Sequence, residues 1–258
     1  MKLDGSIAIV TGASHNQGIG TAICRKLAKD GADIFFTHWG SNVDWAVNFQ
    51  NEIIGYGVRC GNLEIDLSEP NSPLKLLEMV AYQLGIPTIL VNNAAHSTRD
   101  GYMKLDAKTL DDHYAVNMRA TFILSVEFAR RLKLQNKLKG RIINMTSGQA
   151  LGPMTGELAY VATKGAISAF TLSLSAELAP LGITVNAINP GPTDTGWMTD
   201  EIKTHLTSKF LSGRVGLPED AARLVSFLAS EEAQWITGQI INSEGGFFKS
   251  LDWGSQLN

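Results

Sequence analysis

Residues 11–20 read Thr11-Gly12-Ala13-Ser14-His15-Asn16-Gln17-Gly18-Ile19-Gly20 and lie between an apolar run, Ser6–Val10, and a helical pattern that begins at Ile19. Gly12 permits a tight turn, Gly18 lets the backbone approach a ligand, and Gly20 allows a helix to pack closely on a strand. The start of such a helix offers free N–H groups and positive potential to phosphate groups. The stretch therefore predicts a strand–turn–helix unit that binds the phosphates of a dinucleotide.

Apolar runs of strand length alternate with helical patterns along the rest of the chain. The predicted strands are Ser6–Val10, Asp33–Thr37, Arg59–Ile65, Thr88–Val91, Arg141–Met145, Thr184–Ile188 and Gln239–Asn242. The longer predicted helices are Ile19–Asp30, Val43–Tyr56, Leu110–Arg131 and Tyr160–Ala179. This alternation predicts an α/β, doubly wound Rossmann fold with a seven-stranded parallel sheet flanked by helices on both faces. We expect one domain over residues 1–258, with a mobile substrate loop at 191–213.

The composition excludes several classes of protein. Of the 258 residues, 44% are hydrophobic and 18% are charged, which excludes a disordered chain. The net charge of −3 argues against a nucleic-acid partner, and two cysteines fit a reduced compartment better than a disulfide framework. Because the sequence has neither an apolar run long enough to span a membrane nor a signal-peptide pattern, we expect a cytoplasmic protein without a membrane partner. We predict no metal site.

Tyr160 and Lys164 carry the candidate chemistry. They are four residues apart, so they share one face of the predicted helix. A neighbouring ammonium lowers the pKa of a phenol, and such a phenol exchanges protons with an alcohol or a carbonyl. Ser147 follows a strand at the sheet edge where α/β folds bind ligands, and its hydroxyl is placed to hold a substrate oxygen. Asn117, in the preceding long helix, is placed to extend a proton chain.

The residues after the second strand bear on cofactor preference. A site for NAD usually places an acidic residue there, but residues 37–41 read Thr-His-Trp-Gly-Ser. A 2′-phosphate meets no repulsion at this position, and His15, His38 and Ser41 are predicted donors to it. The sequence therefore favours NADP(H) over NAD(H).

Together these motifs resemble the short-chain dehydrogenase/reductase family from about Gly5 to Gly246. The further elements that carry the resemblance are Asp66-Leu67, Asn92-Asn93-Ala94-Ala95, Pro190-Gly191-Pro192-Thr193-Asp194-Thr195, Gly213-Arg214, Pro218-Glu219-Asp220 and Ile236-Thr237-Gly238-Gln239. Asn117, Ser147, Tyr160 and Lys164 match the family's catalytic tetrad, with thirteen positions from Ser147 to Tyr160.

The resemblance implies a role for each of these residues. Tyr160 is the general acid in reduction and the base in oxidation, Lys164 holds the nicotinamide ribose, and Asn117 supports a water that relays protons. The implied cofactor residues are Gly12, Ser14, His15, Gly18, Ile19, Gly20, His38, Asp66, Leu67, Asn93, Ala94, Tyr160, Lys164, Pro190, Gly191, Thr193 and Thr195. The implied substrate residues are Gln149, Met154, Gly156, Trp197 and Met198, with the last two forming an apolar lid.

Two features of the sequence bear on its cofactor preference and on the branch of the family that it resembles. The turn is two residues longer than the usual family form, and the residues around His15–Gln17 are expected to reach over the adenosine phosphate or to shift cofactor preference. The spacing of Tyr160 and Lys164 also argues against the enoyl-carrier-protein reductase branch, which has six residues between its tyrosine and its lysine. Here the corresponding position is Ile167.

The most similar branch is that of the 3-oxoacyl-carrier-protein reductases, which resemble the chain at Ser97-Thr98-Arg99-Asp100. Arg130 matches one of the two arginines that meet the carrier protein, whereas the other position is Ala176, so a carrier partner stays open. The expected reaction is NADPH-dependent reduction of a 3-oxoacyl-type or related ketone. The alternatives are an NAD-dependent alcohol, polyol or sugar dehydrogenase and a non-catalytic nucleotide sensor.

The family resemblance also implies a homotetramer. The two long helices, Leu110–Arg131 and Tyr160–Ala179, would pair between subunits. The aromatic tail Phe247–Trp253 is expected to bury at an interface.

Overall fold

A computed structural model describes residues 2–136 and 139–247. Its strands are Ile7–Val10 (β1), Asp33–His38 (β2), Cys60–Glu64 (β3), Ile89–Asn92 (β4), Gly140–Met145 (β5), Ile183–Asn189 (β6) and Ile240–Asn242 (β7). Across the described residues they form one seven-stranded sheet in the order β3-β2-β1-β4-β5-β6-β7, and every adjacent pair is parallel. The order reverses between β1 and β4, where open α/β sheets leave a ligand crevice. The predicted fold is confirmed.

Helices cover both faces of the sheet. Their bounds are Ile19–Lys29 (α1), Val43–Ile54 (α2), Ser72–Gln83 (α3), Ala107–His113 (α4), Thr121–Leu134 (α5), Leu158–Leu178 (α6), Asp200–Thr207 (α7) and Pro218–Ala229 (α8). Alternate side chains of β1 pack into the two hydrophobic cores on opposite faces of the sheet, as expected for a strand that is buried on both sides. Val10 packs with α1 and α8, whereas Ile9 packs with α3 and α5.

The helix predicted over Leu110–Arg131 is interrupted. A π-helical turn, Tyr114–Ala120, separates α4 from α5. Such turns are rare, appear mostly inside α-helices and are frequently found at functional sites. Here the turn carries Asn117.

The stretch 191–213, which we expected to be irregular, contains α7. Thr199 caps this helix by accepting a hydrogen bond from the Ile202 N–H at 3.3 Å, and Asp200 and Glu201 occupy its first turn. None of its residues is buried, so it has no apolar stripe by which a sequence pattern would reveal it.

Among the described residues, no helix combines the length and apolar character that crossing a membrane requires. The predicted interface tail lies outside the described residues from Phe248 onward.

Candidate active site

The glycine-rich turn joins the ends of β1 and β4. Gly12 has a φ of +73°, and a Cβ atom there would lie 2.6 Å from the Cα atom of Ala94. The Thr11 hydroxyl oxygen accepts the N–H groups of Asn93 and Ala94, each at 3.0 Å. The Asn93 side chain donates to the carbonyl oxygens of Thr11 and Gly12, each at 2.9 Å. Only glycine therefore fits at position 12 without displacing the backbone of the neighbouring strand end.

The start of α1 is suited to an anion. Gly18 precedes the helix in an extended conformation, no side chain in the described part of the chain caps it, and no acidic residue occupies its first turn. A Cβ atom at Gly20 would lie 2.5 Å from the Gly12 carbonyl oxygen, so this glycine lets the helix pack directly beneath the turn. The uncapped N–H groups and the helix dipole together favour a phosphate.

A cavity of about 470 Å³ opens beside this turn. Eleven of the predicted cofactor residues line it: Gly12, Ser14, His15, Gly18, Ile19, His38, Asp66, Leu67, Asn93, Ala94 and Thr195. Six further lining residues were missed by the sequence analysis: Thr37, Trp39, Ile65, Ala95, His96 and Val116. Among these, Trp39 carried a signal in the sequence, because it directly follows β2 at the edge where such sheets bind ligands. The residues present therefore fit a dinucleotide.

The other predicted cofactor residues support the cavity from outside its lining. Gly191, directly after Pro190, has a φ of +66°, and a Cβ atom there would lie 2.5 Å from the Cβ atom of Glu244. The Thr193 hydroxyl donates to the Gly191 carbonyl oxygen at 3.1 Å. These residues shape the loop that brings Thr195 to the cavity.

The predicted donors to a 2′-phosphate lie around the turn and at the end of β2. His38 is buried in β2, and its Nε2 lies 3.3 Å from Asn62 Oδ1 of β3, whereas its Nδ1 has no hydrogen-bond partner among the described residues. A role for His38 as a donor stays a prediction. The imidazole of His15 lies against Gly18, within the turn itself. Ser41 remains placed near the turn, because its hydroxyl donates to the Ser14 carbonyl oxygen at 3.0 Å.

Ser147, Tyr160 and Lys164 meet at the carboxyl end of β5. Ser147 begins a short 3₁₀ turn just after that strand, and its side chain is hydrogen-bonded to Tyr160. Both Tyr160 and Lys164 lie in the first two turns of α6. Buried Lys164 donates from Nζ to the Met145 carbonyl oxygen at 2.7 Å, and this nitrogen lies 5.5 Å from the centre of the Tyr160 ring.

Burial decides the protonation of this group. It raises the pKa of Tyr160 to about 12, against an opposing hydrogen bond from Ser147, and it lowers the pKa of Lys164 to about 8. The expected lowered pKa of Tyr160 is therefore not found in this structure, because desolvation of the phenolate outweighs the hydrogen bond from Ser147. At neutral pH Tyr160 carries its proton, which is the form that a proton donor requires.

Asn117 connects the π-helical turn to the cavity wall. Its Oδ1 accepts the His96 N–H at 2.7 Å, and its Nδ2 donates to the His96 carbonyl oxygen at 2.9 Å and to the Thr163 hydroxyl at 3.0 Å. The fully buried amide thus ties a cavity-lining residue to α6, one residue before Lys164.

The predicted substrate residues divide into two groups. Met154 lies beside Ser147, with its sulfur 3.8 Å from the Ser147 hydroxyl. Gln149 instead turns inward, and its Nε2 donates to the Thr146 and Ser168 hydroxyls at 3.2 and 3.1 Å. Its Oε1 is buried and has no hydrogen-bond partner among the described residues, so a contact between Gln149 and substrate stays a prediction.

The predicted lid residues differ in exposure. Trp197 is 53% exposed and donates its indole N–H to the Thr193 carbonyl oxygen at 3.0 Å, whereas Met198 is buried. Gly156 has a φ of +79°, and its carbonyl oxygen accepts the Asp100 N–H at 2.9 Å.

Asp100, part of the segment that resembles the 3-oxoacyl reductases, caps α6 from a distant loop. Its carboxylate accepts the N–H groups of Leu158 and Ala159 at 2.7 and 2.8 Å. Burial works against the charged form, but hydrogen bonds from the backbone of Ala159, Gly101 and Leu158 outweigh it and lower the Asp100 pKa. Sequence spacing gave no signal of this cap, because it joins segments 58 residues apart.

Arg130, which matches one of the two carrier-binding arginines of the 3-oxoacyl reductases, is already paired within its own helix. Its guanidinium lies 2.5 Å from the Glu127 carboxylate, and its side chain stays mostly exposed.

Replacing Lys164 by Met is expected to stabilise the fold at neutral pH. A pKa lowered from 10.5 to about 8 corresponds to about 3 kcal/mol for keeping the buried ammonium charged, of which about 1 kcal/mol is offset by the bond to Met145. We therefore expect the unfolding free energy to rise by about 2 kcal/mol at pH 7.

The pH dependence checks this cause. Between pH 8 and 10.5 the unfolded wild-type chain binds the additional proton, so wild-type stability rises with pH through this window and the advantage of Lys164→Met shrinks. Urea unfolding of wild type and Lys164→Met at pH 7 and pH 10 measures the difference between their unfolding free energies. An equal difference at both pH values would contradict a charged, buried Lys164.

Comparisons with known proteins identify the family of this chain. The profile of a family described as "Enoyl-(Acyl carrier protein) reductase" matches residues 12–248. The chain is similar to an uncharacterized oxidoreductase, YjdA, of Bacillus subtilis (strain 168), with 65% identity over 94% of this chain and 97% of that protein. It is similar also to the 3-oxoacyl-[acyl-carrier-protein] reductase FabG of Aquifex aeolicus (strain VF5), with 34% identity over 96% of this chain and 99% of that protein.

Comparison with solved structures points to the same family. A short-chain dehydrogenase/reductase from Serratia marcescens superposes with a TM-score of 0.88 at 32% identity, covering 96% of this chain and 100% of that one. A blue fluorescent protein from a metagenomic library, in complex with NADPH, superposes with a TM-score of 0.87 at 32% identity, covering 96% of this chain and 99% of that one. The chain therefore belongs to the short-chain dehydrogenase/reductase family of NAD(P)-dependent oxidoreductases.

Proposed function

We propose that this protein is an NADPH-dependent ketone reductase that acts on a 3-oxoacyl-type or related small ketone. The observation that carries the proposal is the meeting of the Ser147 and Tyr160 hydroxyls at the carboxyl end of β5. Two hydroxyls that share one hydrogen bond are suited to hold and protonate one carbonyl oxygen.

In this proposal the cavity residues divide the cofactor between them. The start of α1 holds the pyrophosphate, Asp66 and Leu67 contact the adenine, and Lys164 holds the nicotinamide ribose. Asn93, Ala94, Pro190, Gly191, Thr193 and Thr195 support the nicotinamide half. When bound, the nicotinamide supplies or accepts a hydride at the carbonyl carbon, so the protein has only to position and polarise the substrate.

The proton reaches the substrate through this chain's own side chains. Ser147 donates a hydrogen bond to the carbonyl oxygen, and neutral Tyr160 transfers its proton as negative charge develops there. Lys164 and Asn117 then return a proton to Tyr160 through water. A phenol that burial keeps neutral, with a pKa of about 12, favours the reducing direction over proton abstraction from an alcohol.

NADP(H) is preferred over NAD(H) in this proposal because β2 ends without a carboxylate. Ser14 and Ser41 are the polar side chains that the turn gathers there, since the Trp39 N–H approaches the Ser14 hydroxyl at 3.5 Å and Ser41 donates to the Ser14 carbonyl oxygen. Together with His15 and His38, which line the cavity, these groups are the proposed donors to a 2′-phosphate. The similarity to a structure in complex with NADPH supports this choice.

The four-residue spacing of Tyr160 and Lys164 supports ketone reduction over enoyl reduction. The similarity to a 3-oxoacyl reductase supports an acyl thioester as substrate, while Ala176 weakens the case for a carrier protein. The competing candidate is an NAD-dependent alcohol, polyol or sugar dehydrogenase, which the same hydroxyl pair would serve in reverse. A non-catalytic nucleotide sensor has no use for Tyr160 beside Lys164.

We further propose a cytoplasmic homotetramer built through the outer faces of α5 and α6. Ile123 on α5 is 43% exposed and Leu172 on α6 is 62% exposed, and both are apolar. Sedimentation velocity at micromolar concentration measures the oligomeric state.

The first test is loss of NADPH absorbance, with NADH in parallel, when purified protein receives acetoacetyl thioester. We expect oxidation of NADPH to be at least about tenfold faster than that of NADH, since each tenfold reflects only ~1.4 kcal/mol of differential binding. Faster NADH oxidation would overturn the cofactor preference. Binding of either cofactor without turnover would overturn the substrate class and direct the search to polyols, sugars and simple ketones in both directions.

A further inference from the structure

The additional residues of the glycine-rich turn are anchored to α1 and α2. The Thr21 hydroxyl donates to the His15 carbonyl oxygen at 2.6 Å, and Arg25 donates to the Asn16 carbonyl oxygen at 2.9 Å. The Trp45 indole N–H donates to Asn16 Oδ1, also at 2.9 Å. Arg25 is itself held by Glu52 of α2 through two hydrogen bonds. Three contacts from two helices therefore fix this part of the turn in one position.

The tip of the turn reaches the loop that follows β6. The Gln17 side chain is exposed, and its Oε1 lies so close to Gly196 that a Cβ atom at position 196 would overlap it. Gly196 has a φ of +93°, so glycine is required there for both conformation and space. Gln17 precedes Gly18, and Gly196 follows Thr195. Because Gly18 and Thr195 both line the cofactor cavity, the contact joins two of its walls.

The loop side of this contact is also fixed. The Gly196 N–H donates to Asp194 Oδ1 at 3.0 Å, and Asp194 pairs with Lys203 of α7 at 2.8 Å. Because both segments are anchored, they cannot move apart as readily as two free loops would. A ligand that lies between Gly18 and Thr195 is therefore hindered from leaving past this contact.

Given the cofactor placement that we propose, we infer that Gln17 is a cofactor-retaining residue, which closes the cavity over the pyrophosphate by contacting Gly196. The adenosine half lies towards β2 and β3, away from this bridge, so its binding does not depend on Gln17. Release of the whole dinucleotide requires the contact to open. The two additional residues of the turn thus slow dissociation of the cofactor and leave the adenosine site unchanged.

The test compares Gln17→Ala with wild type in two binding measurements. The dissociation rate of NADPH is followed by stopped-flow fluorescence after displacement with excess NADP⁺, and affinity for 2′-AMP, which carries only the adenosine half, is followed by calorimetry. We expect about a fivefold faster release of NADPH, the size of effect for one modest contact, and 2′-AMP affinity within about twofold. Gln135→Ala, an exposed glutamine at the end of α5, is the matched control.

A second variant tests the anchor. Trp45→Phe removes the indole N–H bond to Asn16 but keeps a ring to stack on Phe49, so it too should release NADPH faster with unchanged 2′-AMP affinity. Wild-type release rates in both variants would overturn the inference, as would an equal weakening of NADPH and 2′-AMP. Failure of the wild-type protein to bind NADPH or NADH would instead overturn the proposed cofactor site, and this inference with it.

Discussion

Replacing Tyr160 by Phe is expected to lower kcat for ketone reduction by about 10³-fold while leaving NADPH affinity within a factor of about two. The substitution removes one hydroxyl and keeps the ring, so the start of α6 and the ammonium 5.5 Å from the ring centre stay in place. The substrate oxygen then loses its proton donor and one of its two hydrogen bonds. Absorbance assays at saturating NADPH and fluorescence titration of the cofactor measure the two quantities.

Tyr82→Phe is the control for this substitution. Tyr82 lies on α3 and is 87% exposed, so loss of its hydroxyl should leave kcat unchanged. A Tyr160→Phe protein that keeps more than about a tenth of wild-type turnover would remove Tyr160 from the acid role, because general acid catalysis contributes at least about 10²-fold.

Replacing Gly12 by Ala is expected to abolish detectable cofactor binding and to destabilise the fold by about 3 kcal/mol. The positive φ costs a non-glycine residue about 1–2 kcal/mol, and the collision with the Ala94 backbone adds a similar amount. The Ala94 backbone cannot retreat freely, because its N–H is held by Thr11 at 3.0 Å. Displacing the turn also moves the N–H groups that face the phosphates.

Gly57→Ala separates the two causes. Gly57 has a φ of +87°, but a Cβ atom there would meet nothing within 4 Å, and the residue lies outside the cofactor cavity. We expect this variant to lose only about 1 kcal/mol and to bind NADPH normally. Urea unfolding and fluorescence titration check both variants. Normal cofactor binding by Gly12→Ala would show that the turn is not the phosphate site.

Local rules explain which parts of the fold and site were predictable. The strand–turn–helix unit at residues 7–29 and the shared helix face of Tyr160 and Lys164 follow from spacing alone, since side-chain direction repeats with the period of each element. The parallel arrangement of the strands follows from alternation and right-handed crossovers, whereas their order was known only from the folded chain. The helix α7 was missed because nothing in it is buried, and the break at Tyr114–Ala120 was missed because a π-helical turn leaves no mark on hydrophobic periodicity.

The sequence by itself therefore determined the parallel sheet, the glycine-bearing turn and the candidate catalytic side chains. The tertiary structure alone decided the protonation of Tyr160, the engagement of His38 with Asn62, the inward turn of Gln149, the cap that Asp100 places on α6, and the reach of Gln17 to Gly196. Each of these depends on burial or on contact between segments far apart in the chain. A pKa responds to the desolvation of its group, and a cap or bridge needs two segments whose separation only the folded chain sets.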